Sequence, residues 1–304
     1  MSGIAPLKLE PQTTLSEAVR AVASVLRAAN FGSCERDARF LVQGMSGTTA
    51  EELITHPSRP LGDAAQRLQL AIARRLKHEP VSRILGWREF YGRRFEVTPD
   101  VLDPRPESET LITAALELAD ANSWRNQSIT IADIGTGSGI LIATLLSELP
   151  TATGVASDMS APALNVAKRN SEALGIGESR LCFLHTRGLE KCQMPIDVIV
   201  SNPPYIPSVA IKTLAPEVQN FDPLLALDGG EDGLVMYREI AAEIAARHHP
   251  RTLTILVEIG AGQGHDITQI FLAAGCCQIK VWRDLAGLVR VLGFERKNAK
   301  IGDL

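Results

Sequence analysis

Ile129-Thr130-Ile131-Ala132-Asp133-Ile134, Gly135-Thr136-Gly137-Ser138-Gly139 and Ile140-Leu141-Ile142-Ala143-Thr144-Leu145-Leu146-Ser147-Glu148 follow one another without a break, and their reading decides the fold. The first six residues are β-rich and the last nine look helical. The glycines between them let the backbone turn sharply and approach a ligand closely. About 20 residues further on, the run Gly154 to Ser157 ends in Asp158, where a second strand would present a carboxylate to ribose hydroxyls. A nicotinamide site would want a third glycine where Ile140 stands, to accommodate a pyrophosphate. The pattern therefore favours S-adenosylmethionine, which carries ribose and adenine but no phosphate.

A second stretch supplies the chemistry. Asn202-Pro203-Pro204-Tyr205 follows the apolar run Ile196 to Val200 and reads as a rigid clamp for a planar amino group. An amide or exocyclic amine nitrogen shares its lone pair with a π system, so it must be held with that pair facing an electrophilic carbon. Two acceptors can take its two N–H bonds: the side-chain oxygen of Asn202 and a main-chain carbonyl of the same turn, most naturally that of Pro203. Successive prolines fix φ and donate no N–H, and Tyr205 offers a ring face for a flat group. The bland alternative is an Asn-Pro turn closing a strand.

From Glu107 onward, helical and strand-like patterns alternate. Helices are expected near Ser108 to Ala121, Ile140 to Glu148, Ala161 to Leu174, Leu234 to Arg247 and Asp266 to Ala274. Strands are expected at Ile129, Thr153, Leu181, Ile196 and Thr252 to Ile259, with two closing strand-like runs. This predicts an α/β domain with a helix-wrapped parallel sheet whose ligands lie at the carboxyl ends of the strands. The glycine turn, Asp158 and the clamp all fall at such ends. The N-terminal part reads as helices, with Thr14 and Glu17 as a capping box before Leu15, Ala18, Val19, Val22 and Leu26, and Thr49 and Glu52 as a second start. A further stretch sets Leu68, Ala71, Ile72 and Leu76 on one face and Arg67, Arg74, Arg75 and Lys77 elsewhere, as a solvated face or a dock for an acidic partner. The expected division is a small helical substrate-recognition domain over 1–85, a hairpin linker over 86–105 with Tyr91-Gly92-Arg93-Arg94 at its turn, and the α/β domain over 106–304.

With these stretches in order, the chain resembles the HemK/PrmC-type protein-(glutamine-N5) methyltransferases. Pro104-Arg105-Pro106-Glu107-Ser108-Glu109, Asp133 to Gly139, Ser201 to Tyr205 and Glu258-Ile259-Gly260 carry the resemblance. It extends to Glu79-Pro80-Val81, Gly86 to Gly92, Leu227 to Gly233 and Asp284-Leu285-Ala286-Gly287. It implies an S-adenosylmethionine-dependent methyltransferase of Rossmann-like fold with a small N-terminal helical domain. The implied reaction methylates the glutamine of the Gly-Gly-Gln motif in class I peptide chain release factors. The catalytic residues would be Asn202, Pro203, Pro204 and Tyr205; the cofactor-binding residues would be Gly135, Thr136, Gly137, Ser138, Gly139, Asp158, Gly188 and Asn202. The chain has Asp103 where the family usually has an aliphatic residue. It has Thr186-Arg187-Gly188 where the family often places an acid, so Arg187 either stacks on adenine or lies solvated.

Composition agrees with a globular enzyme. A chain of 304 residues accommodates one full-size and one smaller domain, and 45% hydrophobic residues suffice for a sizeable core. Lys+Arg 31 against Asp+Glu 35 gives 31 − 35 = −4, so no global polycation is present to grip nucleic acid. Cys34, Cys182, Cys192, Cys276 and Cys277 show no paired metal spacing, so no metal is expected and reduced thiols suit the cytoplasm. Met1 to Gln12 lacks a basic stretch followed by an apolar core, and no roughly 20-residue apolar span is present, so neither secretion nor membrane insertion is indicated. Nothing demands a dimer. Gly262-Gln263-Gly264 reads as coincidence in a loop, and His248-His249 as a helix end. Asp222-Pro223 is either a shaper of the substrate loop or an ordinary turn, and Pro104-Arg105-Pro106 either borders the pocket or leads into a helix. Two other functions stay open at this level: adenine-N6 methylation of nucleic acid, whose amine offers the same two N–H bonds, and a non-catalytic partner-binding protein.

Overall fold

The computed structural model describes residues 7–247 and 251–297. The chain divides into two compact units at Trp87/Arg88. His248 and His249 lie outside the described residues.

The first unit contains α1 (Leu15–Ala28), α2 (Cys34–Ser46), α3 (Ala50–Thr55), α4 (Ala64–Arg75) and α5 (Val81–Leu85). The Thr14 hydroxyl accepts from the Glu17 main-chain N–H at 3.3 Å while the Glu17 carboxylate accepts from the Thr14 N–H at 2.9 Å. Each such cap contributes about 1 kcal/mol. Thr49 and Glu52 repeat the device at α3. Leu15, Val22, Leu26, Leu41 and Leu68 form the fully buried centre. Arg67, Arg74 and Lys77 are exposed, as a solvated face requires, and Arg75 alone departs from it. Arg75 is buried, pairs with buried Asp37 at 2.8 Å and stands over the Phe31 ring at 4.2 Å. Arg74 pairs with Glu79 at 2.5 Å, and Arg67 donates to the Met45 carbonyl at 3.0 Å. These side chains answer local carboxylates and carbonyls, which a helical projection of charge alone does not reveal.

The hairpin of β1 (Trp87–Phe90) and β2 (Arg93–Glu96) falls, apart from Trp87, in the second unit rather than forming a separate linker. Phe90 and Phe95 are buried in its main core, and Asn170 accepts from the Glu96 main-chain N–H at 2.7 Å. The remaining elements are α6 (Glu109–Ala121), β3 (Thr130–Ile134), α7 (Ile140–Glu148), β4 (Thr153–Asp158), α8 (Ala161–Ala173), β5 (Leu181–His185), β6 (Val198–Ser201), α9 (Pro216–Phe221), α10 (Val235–Ala246), β7 (Leu253–Glu258), α11 (Gly264–Ala273), β8 (Cys277–Arg283) and β9 (Val289–Arg296). The sheet order is β5-β4-β3-β6-β7-β9-β8. The first five strands are mutually parallel, and β9 runs antiparallel to both β7 and β8.

Both faces of the sheet are covered, so its central strands are apolar throughout rather than alternating with polar residues. Ile131, Val198 and Leu256 join α6 and α7 on one face; Ala132, Ile199 and Ile255 join α10 and α11 on the other. The chain order reverses between β3 and β6, which makes their carboxyl ends the switch point where open α/β sheets bind ligands. The glycine turn leaves β3 and the Asn202 loop leaves β6, so both open at that one place. The Ser201 hydroxyl, donating to the Ile134 carbonyl at 2.7 Å, stitches the two strand ends together. Among the described residues, no helix is long and apolar enough to cross a membrane, and no cluster of three or more metal-ligating side chains is present. All five cysteines are free, with Cys182 and Cys277 exposed and the other three buried.

Candidate active site

A cavity of about 750 Å³ opens at the switch point. This lies within the range of sites that enclose a small molecule. Gly135, Thr136, Gly137 and Ser138 form its floor, Asp158 to Ser160 and Thr186 to Gly188 one side, and Asn202 and Pro204 the other. Gly135 and Gly137 have φ of +72° and +54°, and a Cβ at either would meet nothing within 4 Å. The turn therefore leaves an open cradle beside the backbone. Gly139 does not line the cavity: a Cβ there would stand 2.9 Å from the Ala167 Cβ, so it is the close approach of α8 that requires glycine.

Asp158 ends β4 with both oxygens anchored, Oδ2 accepting from the Gly137 N–H and Oδ1 from the Ser160 N–H, each at 2.8 Å. Burial pushes its carboxyl up, and those main-chain donors work against the rise. Asp133, also close to the turn, is fully buried; desolvation raises its pKa to about 7 although the Thr136 hydroxyl donates to it at 2.7 Å. Arg187 is exposed, lines the cavity and pairs with Glu239 at 2.5 Å.

In the clamp, Asn202 and Pro204 line the cavity, whereas Pro203 and Tyr205 are not among its lining residues. The Asn202 amide donates from Nδ2 to the Ser108 hydroxyl at 3.1 Å. Tyr205 packs against the core beside Gly260, and desolvation pushes its phenol up to about 12. Its carbonyl accepts from Gln263 Nε2 at 2.9 Å, while Gln263 Oε1 accepts from the Gly260 N–H at 3.0 Å. Gln263 thus has both ends of its side chain committed, one to the Tyr205 carbonyl and one to Gly260, which sequence reading of Gly262-Gln263-Gly264 does not show. The Pro204 carbonyl lies so close to Gly229 that a Cβ there would stand 2.7 Å from it.

Arg105 and Asp222 meet at the rim, at 2.5 Å. Asp222 also accepts from the Asp103 main-chain N–H at 3.0 Å, and the Asp103 carboxylate pairs with Arg88 at 3.0 Å. Asp103 is therefore held in place by charge where an aliphatic residue would be held by packing. Pro104, Arg105, Ser108 and Pro223 to Ala226 all border the cavity, so both segments left ambiguous by sequence reach the pocket.

This donor set fits S-adenosylmethionine. The cradle has room beside Gly135 and Gly137, and Asp158 lines the same cavity as an acceptor suited to hydroxyls. Both lining arginines are already paired with carboxylates, so the cavity presents little to attract a phosphate and is compatible with a cationic sulfonium.

Sheet order, glycine turn and strand-end carboxylate together define a methyltransferase of Rossmann-like fold. Two family models match the chain: the PrmC N-terminal domain over residues 17–86 and the methyltransferase small domain over residues 113–243. Similar curated proteins include release factor glutamine methyltransferases from Agrobacterium fabrum, 39% identical across 93% of this chain and 98% of that protein, and from Cereibacter sphaeroides, 42% identical across 91% and 96%. The chain belongs to the release factor glutamine methyltransferase family. A solved catalytic domain of human Mettl16 in complex with a 3′UTR hairpin shares the fold, with a TM-score of 0.53 and 13% identity over 76% of this chain and 81% of that one.

Proposed function

We propose that this enzyme transfers a methyl group from S-adenosylmethionine to the N5 amide nitrogen of the glutamine in the Gly-Gly-Gln motif of class I peptide chain release factors. The observation that carries the reading is the Asn202 carboxamide: its Nδ2 end is tied to Ser108, which leaves Oδ1 as an acceptor at the cavity wall. Membership of the release factor glutamine methyltransferases supplies the substrate.

When bound, S-adenosylmethionine supplies a methyl carbon made electrophilic by its positively charged sulfur, which keeps the bonding pair as the methyl leaves. Asp158 holds the ribose, and Gly135, Thr136, Gly137 and Ser138 shape the cradle beside it, with Thr186 to Gly188 at the adenine edge. Asn202 Oδ1 accepts one hydrogen of the target amide. A main-chain carbonyl of the same turn accepts the other; those of Pro204 and Tyr205 are packed on Gly229 and bonded to Gln263, which leaves that of Pro203, although Pro203 is not among the residues lining the cavity. Held at both hydrogens, the nitrogen presents its lone pair to the methyl carbon. The nitrogen becomes acidic as the new N–C bond forms, so one proton leaves late toward these acceptors or water and needs no dedicated base.

The enzyme would act in the cytoplasm as a monomer, without gripping nucleic acid directly. Incubation with labelled S-adenosylmethionine and, in parallel, a release factor, its Gly-Gly-Ala variant and duplex DNA tests the reading. Label on the intact release factor alone is the expected result; label on DNA, or on nothing, overturns it.

A further inference from the structure

We propose that Ser108, backed by the buried carboxylate of Glu258, is a positioning residue that selects which end of the Asn202 carboxamide faces the substrate. This rests on the amide-methylation reading above and adds to it a reason why the clamp is loaded the right way round when Glu258 is ionised. The two ends of a carboxamide are nearly identical in shape and opposite in hydrogen bonding. An Asn202 turned by 180° would offer donors to a substrate nitrogen that itself has only hydrogens to give.

Ser108 alone cannot choose between the ends, because a hydroxyl both donates and accepts. It becomes an acceptor for Asn202 only if its own proton is committed elsewhere. Glu258 provides that commitment. It ends β7, the strand beside β6, and is 1% exposed. Ser108 and Asn202 both favour its charged form, as groups able to donate toward it do. Its Oε2 has no hydrogen-bond partner among the described residues. With the Ser108 proton directed at this carboxylate, Ser108 Oγ turns its lone pairs toward Asn202 and takes Nδ2 at 3.1 Å. The chain of donors then runs one way, from Asn202 through Ser108 to Glu258. Ser108 is itself 4% exposed. A fully buried carboxylate is costly to keep.

The experiment measures steady-state methylation of a release factor by the full chain and by Ser108→Ala, Ser108→Thr, Glu258→Gln and the Ser108→Ala/Glu258→Gln double variant. Cofactor affinity is read in parallel by calorimetry. Ser108→Ala and Glu258→Gln should each lower kcat about tenfold, the effect of one net hydrogen bond. KM for the release factor and cofactor affinity should stay within about twofold. Ser108→Thr, which keeps the hydroxyl, should recover most of the rate, and the double variant should be no slower than the worse single one. Wild-type kcat in Ser108→Ala, failure of Ser108→Thr to recover, or additive losses would overturn the relay. If Ser108→Ala does not fold, Ser108→Thr and Glu258→Gln still decide it: an impaired Thr variant or an unimpaired Gln variant rejects the proposal. Failure of the methylation reading itself looks different, because the wild-type chain would then label no release factor at all.

Discussion

Gln263 donates its side-chain amide to the carbonyl of Tyr205 at 2.9 Å and so ties the loop after β7 to the Asn202 loop after β6. The same side chain receives the Gly260 N–H, so its removal would leave two main-chain groups unpaired at once. Gln263→Ala should lower kcat by about tenfold while leaving cofactor affinity unchanged, since an orienting loop is loosened and no cofactor contact is lost. Steady-state kinetics beside calorimetric titration check both halves of this expectation.

Asn202→Ala removes the acceptor itself. The rate should fall by roughly 10² to 10³, the usual cost of deleting one preorganised hydrogen bond at a reacting group. Near-normal turnover at saturating cofactor would rule out the clamp.

Asp158→Ala should weaken cofactor binding and leave the fold intact. The Gly137 and Ser160 N–H groups that now bond to Asp158 would turn to water, because the site is half open. Unchanged affinity by calorimetry would reject the ribose assignment.

Two buried acids make stability depend on pH in a definite direction. Desolvation raises the pKa of Asp133 from 3.8, and that of Glu258 from 4.5, to about 7. Between the unfolded and folded values the native state binds more protons, so stability falls as pH rises from about 4 through about 7. Around Glu258, Ser108, Arg290 and Asn202 favour the charged form, Glu107 opposes it, and the phenols of Tyr205 and Tyr237 sense its charge. Denaturation curves should show Glu258→Gln gaining on wild type between about pH 5 and pH 8. Over the same range wild-type kcat should climb as Glu258 ionises, and the variant should lose that climb.

In the helical unit, Arg75→Ala would leave the carboxylate of Asp37, which is 5% exposed, with only the more distant Arg36 at 4.0 Å. Removing one partner of a buried pair costs about 3–5 kcal/mol, so this single change should lower the thermal midpoint more than any exposed charge substitution on α4.

Much of the architecture is written in local pattern. The boundaries of α7 coincide with the expected Ile140 to Glu148, and both threonine–glutamate caps start helices as expected. Those signals are short-range: a strand, a turn and a cap each lie within a few neighbouring residues. The α2 helix gave no comparable cue, because Ser33 makes no side-chain cap and its first turn mixes Glu35, Arg36 and Asp37. The short helix α9 and the segments around it, from Ser208 to Ala226, were equally silent, having no long apolar stripe. At the site, residues attached to strand ends could be placed from sequence, since strand order sets them. Ser108 and Gln263 could not, because their partners are 94 residues away for Ser108 and Asn202, and 58 for Gln263 and Tyr205. Gly139 shows the converse limit: its place in the motif suggests a ligand, while its neighbour Ala167 explains it by packing.

Because β3 and β6 are hydrogen-bonded neighbours, the donor cradle and the amide grip hang from adjacent rails of one sheet. The two strands lie one interstrand spacing apart, about 4.8 Å, a length set by peptide geometry and insensitive to how outlying helices breathe. The enzyme thus carries a built-in gauge block, and its alignment should survive surface mutations and warming until the sheet itself gives way.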